Sequence, residues 1–365
     1  MNDKEIHILE LIKENPFVTQ NELAEKTGLS RSAVAGYISS LTKEGKLLGR
    51  AYVFPKKKEV VCIGGANIDR KLQTEETIQY GTSNPAYSSQ SAGGVARNIA
   101  ENLGRLGVQT SLFTIIGEDH GGEWLLESTK AYVDITPSVM KEKHQTGTYT
   151  ALLDSEGELQ VALADMSIYN SINQELIEKK WAHVASADLV ILDTNFPADV
   201  LAYVIERCRK EGKSLCITPV SAPKVKKLPQ NLHGVSWLIA NKDEAEVLAD
   251  MNIKEEGDFF QAAEIILSKG VDKVVITRGD KGLIYFTKSG EAGVILPPKI
   301  NVVDVTGAGD SLVSGIMYSH IKGLHTEDAC KIGIACSLLT LQSNETVNPQ
   351  LNNKKLQETF GNYFH

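Results

Sequence analysis

Long apolar runs are missing from this 365-residue chain; none approaches the roughly 18 residues that a membrane-spanning helix requires. Cysteine is scarce. Its five copies (Cys62, Cys208, Cys216, Cys330, Cys336) never fall at CxxC spacing, so neither a zinc cluster nor a disulfide framework is expected. Low-complexity tracts are absent, and the N-terminus, Met1-Asn2-Asp3-Lys4-Glu5, is polar rather than a charged lead-in to an apolar segment. Secretion and membrane insertion are therefore not expected, and a cytoplasmic setting is. What is present is an ordinary globular composition, 42% hydrophobic and 23% charged, in a chain long enough for one large α/β domain and a small one.

Charge divides the chain. Residues 1–58 hold ten Lys/Arg and seven Asp/Glu, a net of +3, so the other 307 residues carry −11 of the total −8. The boundary falls at Lys56-Lys57-Lys58, after Pro55 and before an apolar strand, giving a small domain over 1–58 and a large one over 59–365. In the small domain, Ile6, Ile8, Leu9, Leu11 and Ile12 make a helical stripe ended by Asn15-Pro16. Thr19 with Glu22 reads as a capping box for a second helix stopped at Gly28, and Ser30 opens a third through Val34, Tyr37, Ile38 and Leu41. Leu47 to Phe54 alternates like a two-stranded wing. The pattern resembles a winged helix-turn-helix, which places Arg31, Ser32, Ser39 and Lys43 of the third helix near DNA. Such modules also serve as dimerisation or docking units, and +3 is a weak footprint beside the basic stripes of tight DNA binders.

The densest chemistry lies in Asp304-Val305-Thr306-Gly307-Ala308-Gly309-Asp310, followed by the apolar helix Ser311-Leu312-Val313-Ser314-Gly315-Ile316-Met317. The N–H groups of Gly307, Ala308 and Gly309 would converge at a helix N-terminus, where backbone donors and the helix dipole favour an anion. Asp310 would stand beside that anion, placed to accept a proton from an attacking hydroxyl. The same residues also fit an ordinary strand-to-helix turn with Asp310 as its cap.

This segment resembles the C-terminal signature of the ribokinase (PfkB) family of sugar and nucleoside kinases, and further motifs extend the resemblance from about Glu59 to the C-terminus. The resemblance implies Asp310 as the catalytic base, with Gly307, Ala308 and Gly309 as the anion hole. It also implies ATP and Mg2+ as cofactors.

On the substrate side, Val60 to Asp69 reads as a buried strand opening into a tight turn, with Asn67 and Asp69 toward a ligand at the sheet's C-terminal edge. Asp69 matches the family's sugar-binding Asp, although a turn-capping carboxylate fits as well. Ser91-Ala92-Gly93-Gly94-Val95-Ala96-Arg97-Asn98 resembles the N-terminal signature, implying substrate contact at Gly93, Gly94 and Asn98; alone, a Gly-Gly before a helix equally fits a packing role. Residues 70–90 and 137–165 read as strands and turns that would form a β lid, through which many family members dimerise, so a homodimer is expected. Gly81-Thr82-Ser83-Asn84-Pro85-Ala86, Asp193-Thr194-Asn195-Phe196-Pro197, Thr218-Pro219-Val220-Ser221-Ala222-Pro223-Lys224 and the segment from Thr340 to Thr346 look like the bacterial pseudouridine kinase branch. Ser83, Asn84, Asp165 and Asn195 are then candidates to bond a pyrimidine; Ser-Asn-Pro is also a plain turn sequence.

On the nucleotide side, Asn241 and Glu244 match the family's Asn-x-x-Glu motif, in which they organise Mg2+ through its waters; they also fit a simple helix cap. Thr277 and Gly279 match an ATP-contacting loop, Arg278 adds positive charge there, and Asn344 would border adenine. Asp304 and Thr306 match positions that hold a monovalent cation such as K+ in some members.

Strands near Val60, Val108, Leu189, Leu215, Leu238, Val274 and Gly293 alternate with helices. The expected fold is ribokinase-like α/β: a mainly parallel central sheet flanked by helices, a small β lid and an N-terminal winged helix-turn-helix. The expected reaction is ATP-dependent phosphorylation of a nucleoside 5′-hydroxyl, pseudouridine foremost. The alternatives are another sugar or nucleoside, or a transcription regulator using the kinase-like part as an effector sensor. A phosphorylated sugar is disfavoured because Gly81–Gln90 lacks Lys and Arg.

Overall fold

The computed structural model describes residues 2–48 and 58–364. The chain divides into two compact units, Met1–Lys58 with Glu175–Asp188, and Glu59–Gln174 with Leu189–His365. In the first, α1 (Asp3–Glu14), α2 (Gln20–Thr27) and α3 (Arg31–Lys43) start where local chemistry starts them. Asn2 with Glu5 and Thr19 with Glu22 form capping boxes, and the Ser30 hydroxyl accepts the Ala33 N–H. Gly28 closes α2 at φ +68°. Ile8, Ile12, Leu23, Val34, Leu41 and Leu47 are fully buried and form this unit's core. Arg31, Ser32, Ser39 and Lys43 are all exposed on α3, the last three at helical spacing along one face. Of the expected wing, Gly49–Phe54 lies outside the described residues.

The strands that follow are β1 (Lys58–Ile63), β2 (Asn67–Thr74), β3 (Ala86–Gly93), β4 (Thr110–Phe113), β5 (Ile115–Gly117), β6 (Val139–Lys141), β7 (Thr148–Leu153) and β8 (Leu159–Asp165). Next come β9 (Ala187–Asp193), β10 (Ser214–Thr218), β11 (Trp237–Asn241), β12 (Lys273–Thr277), β13 (Leu283–Thr287) and β14 (Ala292–Ile295). Eight of them make one sheet in the order β14-β13-β12-β11-β10-β9-β1-β4. The run β9-β10-β11-β12 and the pair β1-β4 are parallel, while β13 and β14 turn back antiparallel. The connections from Arg278 to Gly282 and from Lys288 to Glu291 are too short for the crossover that a parallel neighbour needs. Val60, Val61, Cys62 and Ile63 are all at 0% exposure, as expected of a strand covered on both faces.

A second sheet, β3-β2-β7-β8, is the small lid. Strands β2 and β3 pair antiparallel over their full length, from Asn67 opposite Gly93 to Thr74 opposite Ala86. Both therefore join the body of the unit at the same level, where the ligand side of the main sheet lies. Every residue of β8 is exposed.

Candidate active site

The helix Ala308–Ile321 begins at Gly307, which sits at φ +79° as its N-cap. A Cβ at Gly307 would lie 2.0 Å from the Thr346 carbonyl oxygen, so only glycine fits this turn. Around Gly309 the space is open, with no atom within 4 Å of a Cβ built there. The expected three donors need revision: the Ala308 N–H reaches back to Val305 O at 3.3 Å. The N–H groups of Gly307, Gly309 and Asp310 have no acceptor among the described residues, and they are the donors left for an anion.

Asp310 lies on the first turn and is partly buried. Its Oδ2 accepts the Asn98 Nδ2–H at 2.8 Å, joining two signatures 212 residues apart. Loss of water pushes the Asp310 carboxyl up to about 7; the Asn98 bond opposes the rise, and the charges of Asp193, Asp69 and Glu244 add to it. A carboxyl with that value can accept a proton near neutral pH.

The floor of the site is built by a carboxylate that the sequence reading gave no role. Asp193 ends β9 at 0% exposure. Its Oδ2 accepts Gly65 N–H (2.8 Å), Ala96 N–H (3.1 Å) and Asn195 Nδ2–H (2.9 Å), and its Oδ1 accepts Asn195 N–H (2.8 Å). It thus ties the turn after β1 to the start of helix Val95–Arg105. Asn67 donates to Asp69 Oδ1 at 2.6 Å, and a Cβ at Gly93 would meet the Asp69 carboxylate at 2.1 Å. Gly94, at φ +99°, lies against the Gly65 carbonyl. Asn67, Asp69, Gly93, Gly94, Asn98 and Asp310 are therefore brought together.

The pyrimidine candidates are placed differently. Asn84 closes its own turn, accepting Gln79 N–H and donating to Gln79 O and Thr82 O. Ser83 is exposed beside it, and Asp165 is exposed with its carboxylate bonded to Ser167. Asn195 gives its amide to Asp193 and receives Lys224 Nζ–H at 2.6 Å. The amides of Asn84 and Asn195 are committed to the chain, which revises the expectation that they face substrate.

Across the sheet edge, Asn241 and Thr277 are register partners at the ends of β11 and β12. Asn241 and Glu244 form a capping box, so the cap reading holds in full. Glu244 Oε2 accepts the Asn241 N–H, its Oε1 has no partner among the described residues, and burial pushes its carboxyl up to about 7. Gly279, φ +61°, is exposed with open space around it. Arg278 is turned elsewhere: its guanidinium donates to Lys281 O, lies 3.6 Å from Glu256 and packs beside Phe259. Asn344 is exposed, two residues before the Thr346 that packs on Gly307. Asp304 Oδ1 accepts the N–H and hydroxyl of Thr306, and Oδ2 receives Lys71 Nζ–H at 2.9 Å from lid strand β2.

Residues 57–353 match the family model for pfkB family carbohydrate kinases. The chain belongs to the PfkB family. Residues 1–47 of this PfkB kinase also match a winged helix-turn-helix DNA-binding model. The pseudouridine kinase of Escherichia coli K12 is 33% identical, over 81% of this chain and 94% of its own. The uncharacterized sugar kinase YeiI of the same organism is 29% identical, over 96% of this chain and 97% of its own. A solved carbohydrate kinase from Agrobacterium tumefaciens superposes with a TM-score of 0.72 at 29% identity, covering 83% of this chain and 97% of the other.

The PfkB kinase is a phosphotransferase with an alcohol group as acceptor, and the family uses ATP and Mg2+. Its own residues fit both: open donors at a helix N-terminus suit a phosphate, and the unengaged Oε1 of buried Glu244 suits the water shell of Mg2+. Among the residues that sequence reasoning missed, Asp193 left one signal, a lone carboxylate closing the apolar run Leu189-Val190-Ile191-Leu192.

Proposed function

We propose that this PfkB kinase transfers the γ-phosphoryl group of ATP to the 5′-hydroxyl of a nucleoside, with pseudouridine the preferred substrate. The observation that best supports this mechanism is the 2.8 Å bond from Asn98 to Asp310, which joins the helix after the Gly93-Gly94 turn to the open helix N-terminus. Asp69 and Asn98 orient the ribose, Asp310 takes the hydroxyl proton, and the N–H groups at Gly307, Gly309 and Asp310 stabilise the transferred phosphate. When bound, Mg2+ neutralises phosphate charge and aligns the transferred group. The lid sheet shields the γ-phosphate from water. The preference for pseudouridine is supported by the 33% identity to a kinase of that name.

A coupled ADP-release assay tests this against pseudouridine, uridine, other nucleosides, ribose and fructose 6-phosphate. Turnover confined to pseudouridine is expected; an equal rate on ribose would discard the substrate assignment and keep the mechanism. In the same assay, Glu244→Gln should raise the Mg2+ needed for half-maximal rate by about tenfold or more while nucleoside affinity stays unchanged. An unchanged Mg2+ requirement would remove Glu244 from the metal's water shell. Stimulation by K+ over Na+ would support a monovalent cation at Asp304 and Thr306.

A second reading is favoured by the N-terminal match: the exposed face of α3, with Arg31, Ser32, Ser39 and Lys43, enters a DNA major groove, and nucleoside binding alters that affinity. Fluorescence anisotropy with labelled DNA, with and without nucleoside, decides it. Homodimerisation in the cytoplasm completes the proposal. It is supported by Val161 and Leu163, exposed at 45% and 64% along one face of β8, and is checked by sedimentation.

A further inference from the structure

Arg97, a charged side chain only 4% exposed, immediately precedes Asn98. Its guanidinium is ion-paired with Glu101, which Arg105 holds from its other oxygen at 2.8 Å. Nη1 donates to Ala92 O, at the end of lid strand β3, at 3.0 Å and to Asn98 Oδ1 at 3.1 Å, and Nε donates to Thr129 Oγ1 at 3.3 Å. The Asn98 amide is therefore fixed at both ends: its oxygen faces Arg97 and its nitrogen faces Asp310. A flipped amide would aim NH2 at a guanidinium and oxygen at a carboxylate, two repulsive contacts in place of two charge-assisted bonds.

We propose that Arg97 is a positioning residue for the base: by holding the Asn98 oxygen, it forces the Asn98 N–H onto Asp310 and keeps that carboxylate aimed and ionised. The inference rests on Asp310 acting as the base. The charged groups that bear on Asp310 are Asp193, Asp69 and Glu244, and all three favour its protonated form; the Asn98 N–H opposes them. Arg97 also bears on Asp69, where burial raises the carboxyl and the Asn67 bond and the Arg97 and Lys71 charges oppose the rise. Without Arg97, nothing prevents Asn98 from turning its oxygen to a protonated Asp310, and the base then holds its proton to higher pH.

Removing Arg97 alone would strand Glu101 in the interior, so the first variant is the double change Arg97→Met with Glu101→Met, which replaces that buried pair by apolar side chains of similar length and leaves Arg105 on the Pro349 carbonyl and the Tyr132 ring. The measurement is kcat against pH from 6 to 9.5. The expected result is an acid limb moved up by about one pH unit, giving a loss of about tenfold at pH 6.5 that shrinks to within about threefold at pH 9. Arg97→Lys, which keeps the charge and lacks the planar fork, should move the limb the same way and serves if the double variant does not fold. A folded variant whose loss is the same at every pH would overturn the proposal, because a merely structural role lowers the rate without moving the limb. Asp310→Asn is run beside them: if it still turns over, the base reading itself fails, whereas an inactive Asp310→Asn with unmoved limbs in the Arg97 variants fails this inference alone.

Discussion

Asp310→Asn will keep its nucleoside and lose turnover by about a thousandfold, within the range set by removing a positioned general base. The substituted amide has the same shape, and its oxygen still accepts the Asn98 N–H, so the sugar-side turn is undisturbed. What is lost is the site that receives the hydroxyl proton. Calorimetric titration of nucleoside should therefore give an affinity within about threefold of the wild type while ADP release falls to background, a split between binding and chemistry. A variant that folds, binds and still turns over near the wild-type rate would sink the base assignment. In the wild type the carboxyl stands near 7, so the rate should fall about tenfold per pH unit below that value. The same raised value sets a stability sign. A folded-state value above that of the unfolded chain means that proton uptake favours folding between about pH 7 and pH 4, and that ionised Asp310 disfavours folding above that window. The neutral amide should accordingly raise the melting temperature at pH 8 and leave it unchanged at pH 4, the usual direction when an active-site strain is relieved.

Asp193→Asn should damage the protein through its architecture. Four N–H bonds converge on the Asp193 carboxylate, three of them on a single oxygen. An amide can accept at one end only and presents its own N–H groups at the other, so at least one buried backbone donor loses its partner and meets another donor. Stranding such groups costs about 2–4 kcal/mol, which corresponds to a melting temperature lower by about 3–6 °C in a domain of this size. Nucleoside affinity should fall with it, since Gly65 and Ala96 carry the turns that hold Asp69 and Asn98 in place. Differential scanning calorimetry and a nucleoside titration check both effects; an unchanged melting temperature with unchanged affinity would show that the donors have other acceptors.

Features made by neighbours in sequence were legible. The Thr19–Glu22 and Asn241–Glu244 capping boxes, the left-handed Gly28 and the glycine turn at Gly307 depend on residues three or four apart, and the pattern alone places them. The convergence of Asp69, Asn98 and Asp310 was legible only through resemblance, because nothing local says that helices starting at Val95 and Ala308 stand side by side. Asp193 was missed for the same reason: its partners Gly65 and Ala96 are 128 and 97 residues away. Arg97 was passed over because a buried arginine is decided by the packing around it and not by its own letter. Where a polar side chain was expected to face a ligand, at Asn84 and Arg278, the nearer partners prevailed: a short amide closes its own turn, and an arginine takes the adjacent carboxylate and carbonyl.

The pairing of Asn67 with Gly93 also gives the lid a mechanical character. Strands β2 and β3 leave the body of the unit together and run outward for eight residues each, locked in register to their tips. At about 3.3 Å per residue this is an arm of about 26 Å, flanked by β7, pinned near its base by Asp193 through Gly65 and latched part-way out by the Lys71–Asp304 bond. Such an arm acts as a lever. Once Lys71 leaves Asp304, a rotation of about 10° at the base sweeps the far end through about 4–5 Å, while Asp69, next to the pivot, moves by a small fraction of that distance. Under the proposed function, Asp69 can thus stay in place while the entrance opens, so access to the site and grip on the sugar would be geared separately.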